Sequence, residues 1–129
     1  QIIIKKENIQ NDLRDFILLC QKLKLSGFVI GIKRHKKNNN YLSFSENGIS
    51  INVNQIFNAK KNFTGETKKL MQLHKYVIRK KHKIYLCKDS LFRKKDICFN
   101  YPNFKSFLKV KKKYDKDNLF FSDFLKRIS

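Results

Sequence analysis

A six-residue segment near the middle of the chain limits the possible folds more than any other feature. After Asn47-Gly48, apolar and uncharged polar residues alternate in the order Ile49, Ser50, Ile51, Asn52, Val53, Asn54. Because consecutive side chains of a strand point to opposite faces, this predicts a strand with one core face and one polar face. Asn-Gly is a hairpin signal, so a turn is expected at residues 46–48. The polar face suits either a solvent-facing surface or the lining of a polar cavity, and the pattern alone does not choose.

Helical spacing of apolar residues predicts two long helices. The first begins near Ile9, continues through Leu23 and ends at Ser26-Gly27. The second should run from about residue 65 to residue 80, with Thr64 as its N-cap. Its buried side would carry Leu70, Leu73 and Val77.

The remaining segments complete an α+β pattern. Further strands are predicted at residues 1–5, 28–34, 41–44 and 83–87. Asp89 and Ser90 should cap a short helix, Tyr101-Pro102 precedes a longer one, and Phe121-Ser-Asp123 opens a last short one. Apolar side chains predicted to share one side of the longer helix are Phe104, Phe107, Leu108 and Tyr114. The order β-α-β-β-β-α-β-α-α-α predicts an antiparallel sheet with helices packed on it, followed by a helical C-terminal segment.

The net charge of the chain favours anionic partners but does not identify one of them. A formal net charge of +20 in 129 residues favours nucleic acid, phosphorylated ligands or an anionic lipid surface. The lysines are scattered over every predicted element, however, so compositional drift explains the charge equally well. The longest apolar runs, residues 16–20 and 28–32, fall far short of the ~20 residues that span a bilayer. We therefore expect no transmembrane segment within this chain.

The sequence lacks the motifs that are typical of several kinds of chemistry. The three cysteines form no C-x-x-C pair, so we expect reduced, largely buried thiols. The three histidines lack metal-ligand spacing, so we expect surface histidines and no metal site. Four separated glycines build neither G-x-G-x-x-G nor a P-loop. From chemistry alone the chain is a basic α+β domain whose activity is not identified.

Four short motifs in the C-terminal third carry a family resemblance. In order, they are Tyr85-Leu-Cys-Lys-Asp-Ser90, Phe99-Asn-Tyr-Pro-Asn-Phe104, Lys111-Lys-Lys-Tyr-Asp115 and Phe120-Phe-Ser-Asp-Phe-Leu-Lys-Arg127. This succession resembles the C-terminal end of FAD-linked oxidoreductases of the vanillyl-alcohol-oxidase type. Within that group it is most similar to the decaprenylphosphoryl-β-D-ribose oxidases. Residues 28–33, 42–44 and the strand after Gly48 fall in the same order as the substrate-domain strands of that family.

The resemblance implies a division of the chain. Residues 1–84 would belong to the substrate-binding (cap) domain, and residues 85–129 would complete the flavin side. The N-terminal domain that binds most of the FAD in this family would lie outside the chain. Because the sequence begins at Gln1 without Met, we treat it as a piece of a longer protein that would be inactive alone.

The resemblance also implies roles for particular residues. Lys88 would be the catalytic cation beside the flavin, where it stabilises negative charge that develops during hydride transfer. Tyr85 would hydrogen-bond the flavin edge or the sugar. The substrate pocket would be lined by Lys33, Ser50, Asn52 and Gln1. The structural alternatives are a surface lysine at 88, a half-buried strand aromatic at 85 and protection of a sheet edge by Lys33.

The implied reaction is hydride transfer from a sugar carbinol carbon to FAD. The product would be a keto-sugar that a partner short-chain reductase could reduce, as in an epimerase of cell-wall polysaccharide biosynthesis. A polyprenyl-phosphate-linked pentose would suit a basic protein that is cytoplasmic or peripheral at the membrane. The chain departs from the family pattern at three places: Asp115-Lys116 replaces Asp-Pro, Ile49 replaces an aromatic residue, and Asn52 stands where Cys is frequent. Because of these departures, the resemblance does not identify the exact substrate.

Two alternatives remain. One is an FAD-linked oxidase of a soluble sugar, alditol or lactone, which needs no cations that face a phosphate. The other is a basic nucleic-acid-binding domain, in which lysines should cluster with exposed aromatics. The aromatics here fall mostly on predicted buried stripes, which disfavours nucleic acid.

Overall fold

The computed structural model is an α+β fold with one antiparallel sheet, and it describes residues 1–25, 27, 29–54, 59–88 and 91–129. The strands are β1 (Ile2–Lys5), β2 (Val29–His35), β3 (Gly48–Asn54) and β4 (Lys83–Ile84). The helices are α1 (Ile9–Lys22), α2 (Ala59–Arg79), α3 (Lys94–Asn100), α4 (Phe104–Tyr114) and α5 (Asp123–Ile128). The expected fold class is confirmed.

The four strands lie in the order β2-β3-β1-β4, and every neighbouring pair is antiparallel. Ile51 of β3 is paired with Ile2 of β1 on one side and with Ile32 of β2 on the other. Because alternate residues share a face, this register gives the sheet an inner face and an outer face. The inner face carries Ile2, Ile4, Ile49, Ile51 and Ile84, and the outer face carries Ile3, Lys33, His35, Ser50, Asn52 and Lys83.

The hydrophobic core lies between the inner face and the first two helices. Phe16 and Cys20 of α1 and Val77 of α2 are buried in one cluster with the isoleucines of the inner face. The amphipathic stripes of both helices supply this contact, as the spacing of their apolar residues predicts. Buried residues of the C-terminal helices join the same cluster, including Ile97, Tyr101, Phe104, Leu125 and Ile128.

The outer edge of β4 is closed by side chains of the C-terminal segment. The Asn100 side chain donates to the carbonyl of His82 (2.7 Å) and accepts from the Ile84 N–H (3.0 Å). The Tyr101 hydroxyl donates to the carbonyl of Ile84. Side chains thus satisfy backbone groups that another strand would otherwise pair, and they hold the C-terminal helices against the sheet.

A buried carboxylate joins α1 to the turn between α2 and β4. Asp12 is 8% exposed, and its carboxylate lies 2.9 Å from Lys80 Nζ and 3.5 Å from His82 Nε2. Lys81 between them has a φ of 58°, which turns the chain sharply from helix to strand. This turn is therefore fixed by charge as well as by backbone geometry.

Gly48 is required by a close approach of two strands. A Cβ on this residue would lie 2.1 Å from the carbonyl oxygen of Ile4 in β1. No rotamer change relieves a contact with backbone, so β3 can begin here only with glycine.

Two predicted element boundaries are wrong. Residues 41–44 form no strand, because β2 and β3 pair directly over seven residues and β1 occupies the other side of β3. Residues 36–47 are instead the loop that joins β2 to β3. Helix α2 begins at Ala59, so Thr64 lies inside it and caps nothing. One internal glycine costs about 1 kcal/mol, and a 21-residue helix with a packed face tolerates it.

Other expectations were partly correct. Strand β4 ends at Ile84, and Leu86–Lys88 form a 3₁₀ turn. Helix α4 buries Phe104, but Tyr114 is 76% exposed rather than packed. The Ser122 side chain caps α5 by accepting from the Leu125 N–H. The predicted signals at Ser26, Phe28, Asp89 and Ser90 lie outside the described residues.

The expected environments of the histidines and cysteines also need correction. His74 and His82 are buried at 8% and 2% exposure, because His74 lies in α2 and His82 lies in the turn that joins α2 to β4, against the core. Cys20 is buried, but Cys87 and Cys98 are exposed free thiols. Within the described ranges, no helix combines the length and apolar character needed to cross a bilayer.

Replacement of Asn100 by Ala should destabilise the protein by about 2–4 kcal/mol, because two buried backbone groups lose their partner. Urea unfolding followed by circular dichroism measures this change. Asn40→Ala, at an exposed position, is the matched control and should change the free energy of unfolding by less than about 0.5 kcal/mol. Equal effects of the two variants would contradict the assigned role of Asn100.

His82 should make stability fall on mild acidification. Burial lowers the pKa of its imidazole below 6.5, although the nearby Asp12 carboxylate acts in the opposite direction. The unfolded chain then binds the proton more tightly, so the free energy of unfolding decreases as pH falls through 6.5. Urea midpoints between about pH 8 and pH 5 measure this slope, and His82→Phe should flatten it. A slope unchanged by this substitution would exclude His82 as its source.

Candidate functional site

The outer face of the sheet gathers most of the polar residues predicted for a site. In one cross-strand row, Ser50 of β3 is paired with Lys33 of β2 and with Ile3 of β1, and Ile3 is paired with Lys83 of β4. In the next row, Asn52 is paired with Gly31, and the Tyr85 N–H donates to the carbonyl of Gln1 (2.9 Å). Antiparallel register continues the second row from Asn52 through Gln1 to Tyr85. Five of the six predicted residues therefore lie in two adjacent rows.

Ser50 is buried at 2% exposure and bonded to a histidine that the sequence did not single out. Its Oγ lies 2.9 Å from Nε2 of His35, the last residue of β2. His35 is half-buried on the same face, two residues beyond Lys33. The period of two in β2 was the available signal, since it places residues 33 and 35 on one side.

The loop between β2 and β3 folds over the middle of the outer face. The ring of Phe44 lies 5.8 Å from the ring of His35 and 4.7 Å from the ring of Tyr85, measured between centroids. Ile3 beneath this region has no exposed surface. Phe44 therefore separates His35 from Tyr85, and the exposed polar groups lie around this ring rather than under it.

Two residues of the predicted site line a small cavity at the end of the sheet. Gln1 and Lys88 border a space of about 190 Å³ on the inner side of the sheet, since its other walls include Ile2, Val77 and Ile84. Ligand pockets usually enclose ~300–1,000 Å³, so this cavity alone accommodates only part of a ligand. Lys88 is exposed, and its backbone N–H is fixed by the carbonyl of Tyr85 (3.2 Å).

Two titratable groups on this face are perturbed. A hydrogen bond to Cys87 raises the pKa of Tyr85, so its phenol stays protonated and is a donor at neutral pH. Partial burial, assisted by the positive charge of Lys33, lowers the pKa of His35 below 6.5. The imidazole is therefore neutral at pH 7.

The predicted site residues are only partly assembled in this chain. Asn52, Gln1 and Tyr85 are half-buried neighbours, Lys33 is exposed beside them, and Lys88 lies past the end of β4. The Ser50 hydroxyl is covered and occupied by His35, so it contacts no ligand directly in this arrangement. Lys33 also lies on an edge strand, as the alternative role in edge protection requires.

FAD has two parts with different requirements, and the described residues fit only one of them. An amide at Gln1, a phenol at Tyr85 and a cation at Lys88 occupy one end of the sheet, and such groups can hold the polar edge of a flavin ring. A dinucleotide phosphate cradle needs a glycine-rich loop, and the sequence contains none. Among the described residues, no group of three or more His, Cys, Asp or Glu could hold a metal ion.

Comparison with known families gives one match and one negative result. The family model of D-arabinono-1,4-lactone oxidase matches residues 14–128, which is most of the chain. This is a C-terminal family of FAD-linked oxidases, so the class is that of FAD-linked sugar and lactone oxidases. The chain belongs to the D-arabinono-1,4-lactone oxidase family. No curated protein matches it.

The reactivity of the thiols should test the exposure of the three cysteines, one of which, Cys87, lies between Tyr85 and Lys88 in the sequence. Cys87 and Cys98 are exposed, whereas burial raises the pKa of Cys20 to about 11 and keeps it an unreactive thiol. We expect two of the three cysteines to react rapidly with a disulfide reagent such as Ellman's, and the third only after unfolding. Rapid reaction of all three in the folded protein would contradict the burial of Cys20.

Proposed function

We propose that this chain supplies the substrate-side surface of an FAD-linked oxidase that oxidises a hydroxyl of a sugar lactone or a related soluble sugar. The observation that carries the proposal is the row Asn52–Gln1–Tyr85 on the outer face, with Lys33 in the adjacent row. Lys88 follows Tyr85 by three residues and borders the cavity on the inner side of the sheet. Amide, phenol and ammonium groups along one face match the hydroxyls and ring oxygens of a sugar. Membership of the lactone oxidase family supports a lactone or soluble sugar as the substrate class.

The residues of the chain bind and orient the substrate. Asn52 and Gln1 offer amide groups, with one Asn52 N–H already donated to Asn54 Oδ1 (2.8 Å), and the Tyr85 oxygen can accept a hydrogen bond beside its own bond to Cys87. The apolar ring of Phe44, which contacts Tyr85, excludes water from one side of this surface. Together these groups would hold one carbinol carbon in a fixed orientation.

Lys88 would supply the positive charge of the site. When bound, FAD accepts the hydride from the carbinol carbon, and negative charge develops on the flavin ring. An ammonium next to that ring stabilises this charge most strongly where water is excluded. The 3₁₀ turn at Leu86–Lys88, closed by the bond from the Lys88 N–H to Tyr85, holds the start of this side chain in place.

We also propose the division of labour that the resemblance implies. Residues 1–84 would form part of the substrate-binding domain, and residues 85–129 would contact the flavin side. A separate FAD-binding domain would hold the phosphates, because this sequence has no glycine-rich loop for them. The bonds from Asn100 and Tyr101 to β4 tie the second segment to the first.

A lipid-linked pentose is the second substrate candidate. The Tyr-x-x-Lys-Asp-Ser order at residues 85–90 and the net charge of +20 favour it, since a phosphate-bearing lipid would meet lysines near a membrane surface. A partner reductase and a peripheral membrane contact belong to this candidate alone. A panel that includes D-arabinono-1,4-lactone, free alditols and a polyprenyl-phosphate pentose separates the two candidates by which compound reduces the flavin.

A nucleic-acid partner would bind a different surface of the protein. Tyr114, Phe120 and Phe121 are exposed near the lysines of α4, contrary to the expectation that the aromatics are buried. Exposed aromatics among lysines are typical of single-strand binding. Salt-dependent binding of RNA or DNA near physiological ionic strength, by a protein that holds no flavin, would exclude the oxidase proposal.

Lys88→Ala should slow flavin reduction by about 10²–10³-fold in the FAD-containing protein, because the charge that develops on the flavin loses its cation. Anaerobic stopped-flow loss of flavin absorbance, with the best substrate of the panel, measures this rate. Lys112→Ala, an exposed lysine on α4, is the control and should change the rate little. Equal and small effects would remove Lys88 from the site.

A further inference from the structure

The turn between α4 and α5 exposes a cluster of apolar side chains. Leu119 and Phe120 are 79% and 81% exposed, and the next residue, Phe121, is 47% exposed. Tyr114, at the end of α4, is 76% exposed and lines the same groove as Phe120. We call residues 114 and 119–121 the apolar tip. Contiguous apolar surface of this kind in water marks a place where a protein meets a partner.

The turn that carries the apolar tip is fixed by hydrogen bonds. The Asp115 carboxylate accepts from the Leu119 N–H (2.7 Å) and from the Phe120 N–H (3.2 Å). Lys111 Nζ donates to Asp115 and to the Asn118 side chain, and its bond lowers the pKa of Asp115, which keeps this carboxyl ionised at neutral pH. Asn118 has a φ of 54°, a left-handed conformation that asparagine tolerates better than most residues. The apolar side chains are therefore presented to solvent by a built turn.

The charges around the apolar tip are mainly positive. Lys113 Nζ lies 5.3 Å from the centroid of the Tyr114 ring, and Lys116 lines a cleft together with Phe121. Exposed cations of this region include Lys109, Lys113, Lys116 and Lys126, whereas its exposed carboxylates are those of Asp117 and Asp123. The Asp115 carboxylate is neutralised by Lys111. A partner that complements this surface is therefore anionic and has an apolar interior that the tip can enter.

The contacts of the rings favour a lipid surface over nucleic acid. Base stacking needs open aromatic faces. One face of the Tyr114 ring is occupied by Lys113, and Lys111 Nζ lies 5.8 Å from the centroid of the Phe121 ring. Leu119, which is among the most exposed apolar residues, has no ring to stack. Insertion between lipid headgroups requires only apolar side chains at the tip and cations around it.

The apolar tip is also connected to the loop that borders the proposed substrate surface. A groove of about 450 Å³ beside Phe120 is lined by apolar side chains of α4 and α5 and by Leu42. Leu42 belongs to the same loop as Phe44, whose ring contacts Tyr85 on the outer face. This groove thus lies between the apolar tip and the loop that covers the outer face.

We propose that the apolar tip inserts into the headgroup region of an anionic lipid bilayer, while Lys109, Lys113 and Lys116 meet the lipid phosphates. The use of this contact rests on the proposed function and deepens its lipid-linked candidate, because an enzyme that acts on a polyprenyl-phosphate pentose must work at a bilayer. The binding itself needs no substrate and is measured without one.

Sedimentation with lipid vesicles tests the binding of the FAD-containing protein. We expect it to bind vesicles of equal parts phosphatidylglycerol and phosphatidylcholine and not vesicles of phosphatidylcholine alone. Phe120→Ser should weaken binding by at least about 10-fold, because the inserted ring is lost. The double variant Lys113→Gln and Lys116→Gln should weaken it by about 20-fold, and added salt should do the same. Leu18→Ser, at a position on α1 that is 51% exposed, is the matched control and should bind as the wild type does.

Fluorescence distinguishes insertion from adsorption. The sequence contains no Trp, so Phe120→Trp places a fluorophore at the apolar tip, and Leu18→Trp provides the control. Anionic vesicles whose acyl chains carry bromine should quench the tryptophan of Phe120→Trp and leave that of Leu18→Trp unchanged. Urea midpoints equal to that of the wild type would show that the variants are folded.

Each outcome supports or overturns the lipid surface. Vesicle binding that is unchanged in Phe120→Ser, or the binding of RNA without the binding of vesicles, overturns it. A tryptophan in Phe120→Trp that is already shielded before vesicles are added shows that another part of the protein covers the tip, and this also overturns it.

The substrate panel keeps this proposal separate from the proposed function. If the lipid-linked pentose reduces the flavin but no vesicle binds, the lipid surface falls and that substrate candidate stands. If anionic vesicles bind through the apolar tip but only soluble lactones reduce the flavin, the lipid-linked candidate falls and the lipid surface stands.

Discussion

Strand β1 must be kept from water on both faces, and much of the structure follows from this requirement. Ile2 and Ile4 point to the inner face, Ile3 points to the outer face, and all three are buried. Two helices cover the inner face, as in many α+β proteins. No helix among the described residues covers the centre of the outer face, and the loop after β2 covers it with the Phe44 ring instead. A polar surface can therefore exist only around this cover.

The edge of the sheet links stability to the proposed site. Strand β4 is short, and side chains of Asn100 and Tyr101 satisfy its outer backbone groups. The residues that follow β4 include Tyr85 and Lys88, the proposed flavin-side groups. Their positions thus depend on hydrogen bonds made by residues more than ten positions later in the chain. A site built in this way is positioned by the second segment as well as by the strand that carries it.

Local patterns predicted the elements better than they predicted their ends. Alternation at residues 49–54 and helical spacing after Ile9 were sufficient, because each pattern reports a face that must be buried. The strand expected at residues 41–44 failed because β3 already had neighbours on both sides, and propensity carries no information about free edges. The predicted start of α2 near residue 65 was wrong for a similar reason, since Thr64 and Gly65 resemble start signals but do not outweigh the packing of a long helix that begins at Ala59.

The sequence by itself determined the α+β class, the polar outer face and the membership that its ordered motifs indicate, because these depend on periodicity and residue order. Only the tertiary structure decided which side chains share a surface. It joined Gln1 to Tyr85, covered the hydroxyl of Ser50 and bonded it to His35, a residue that the sequence placed on the solvent surface. The physical reason is register: cross-strand neighbours are fixed by pairing over many residues, and no local pattern states which strands will pair.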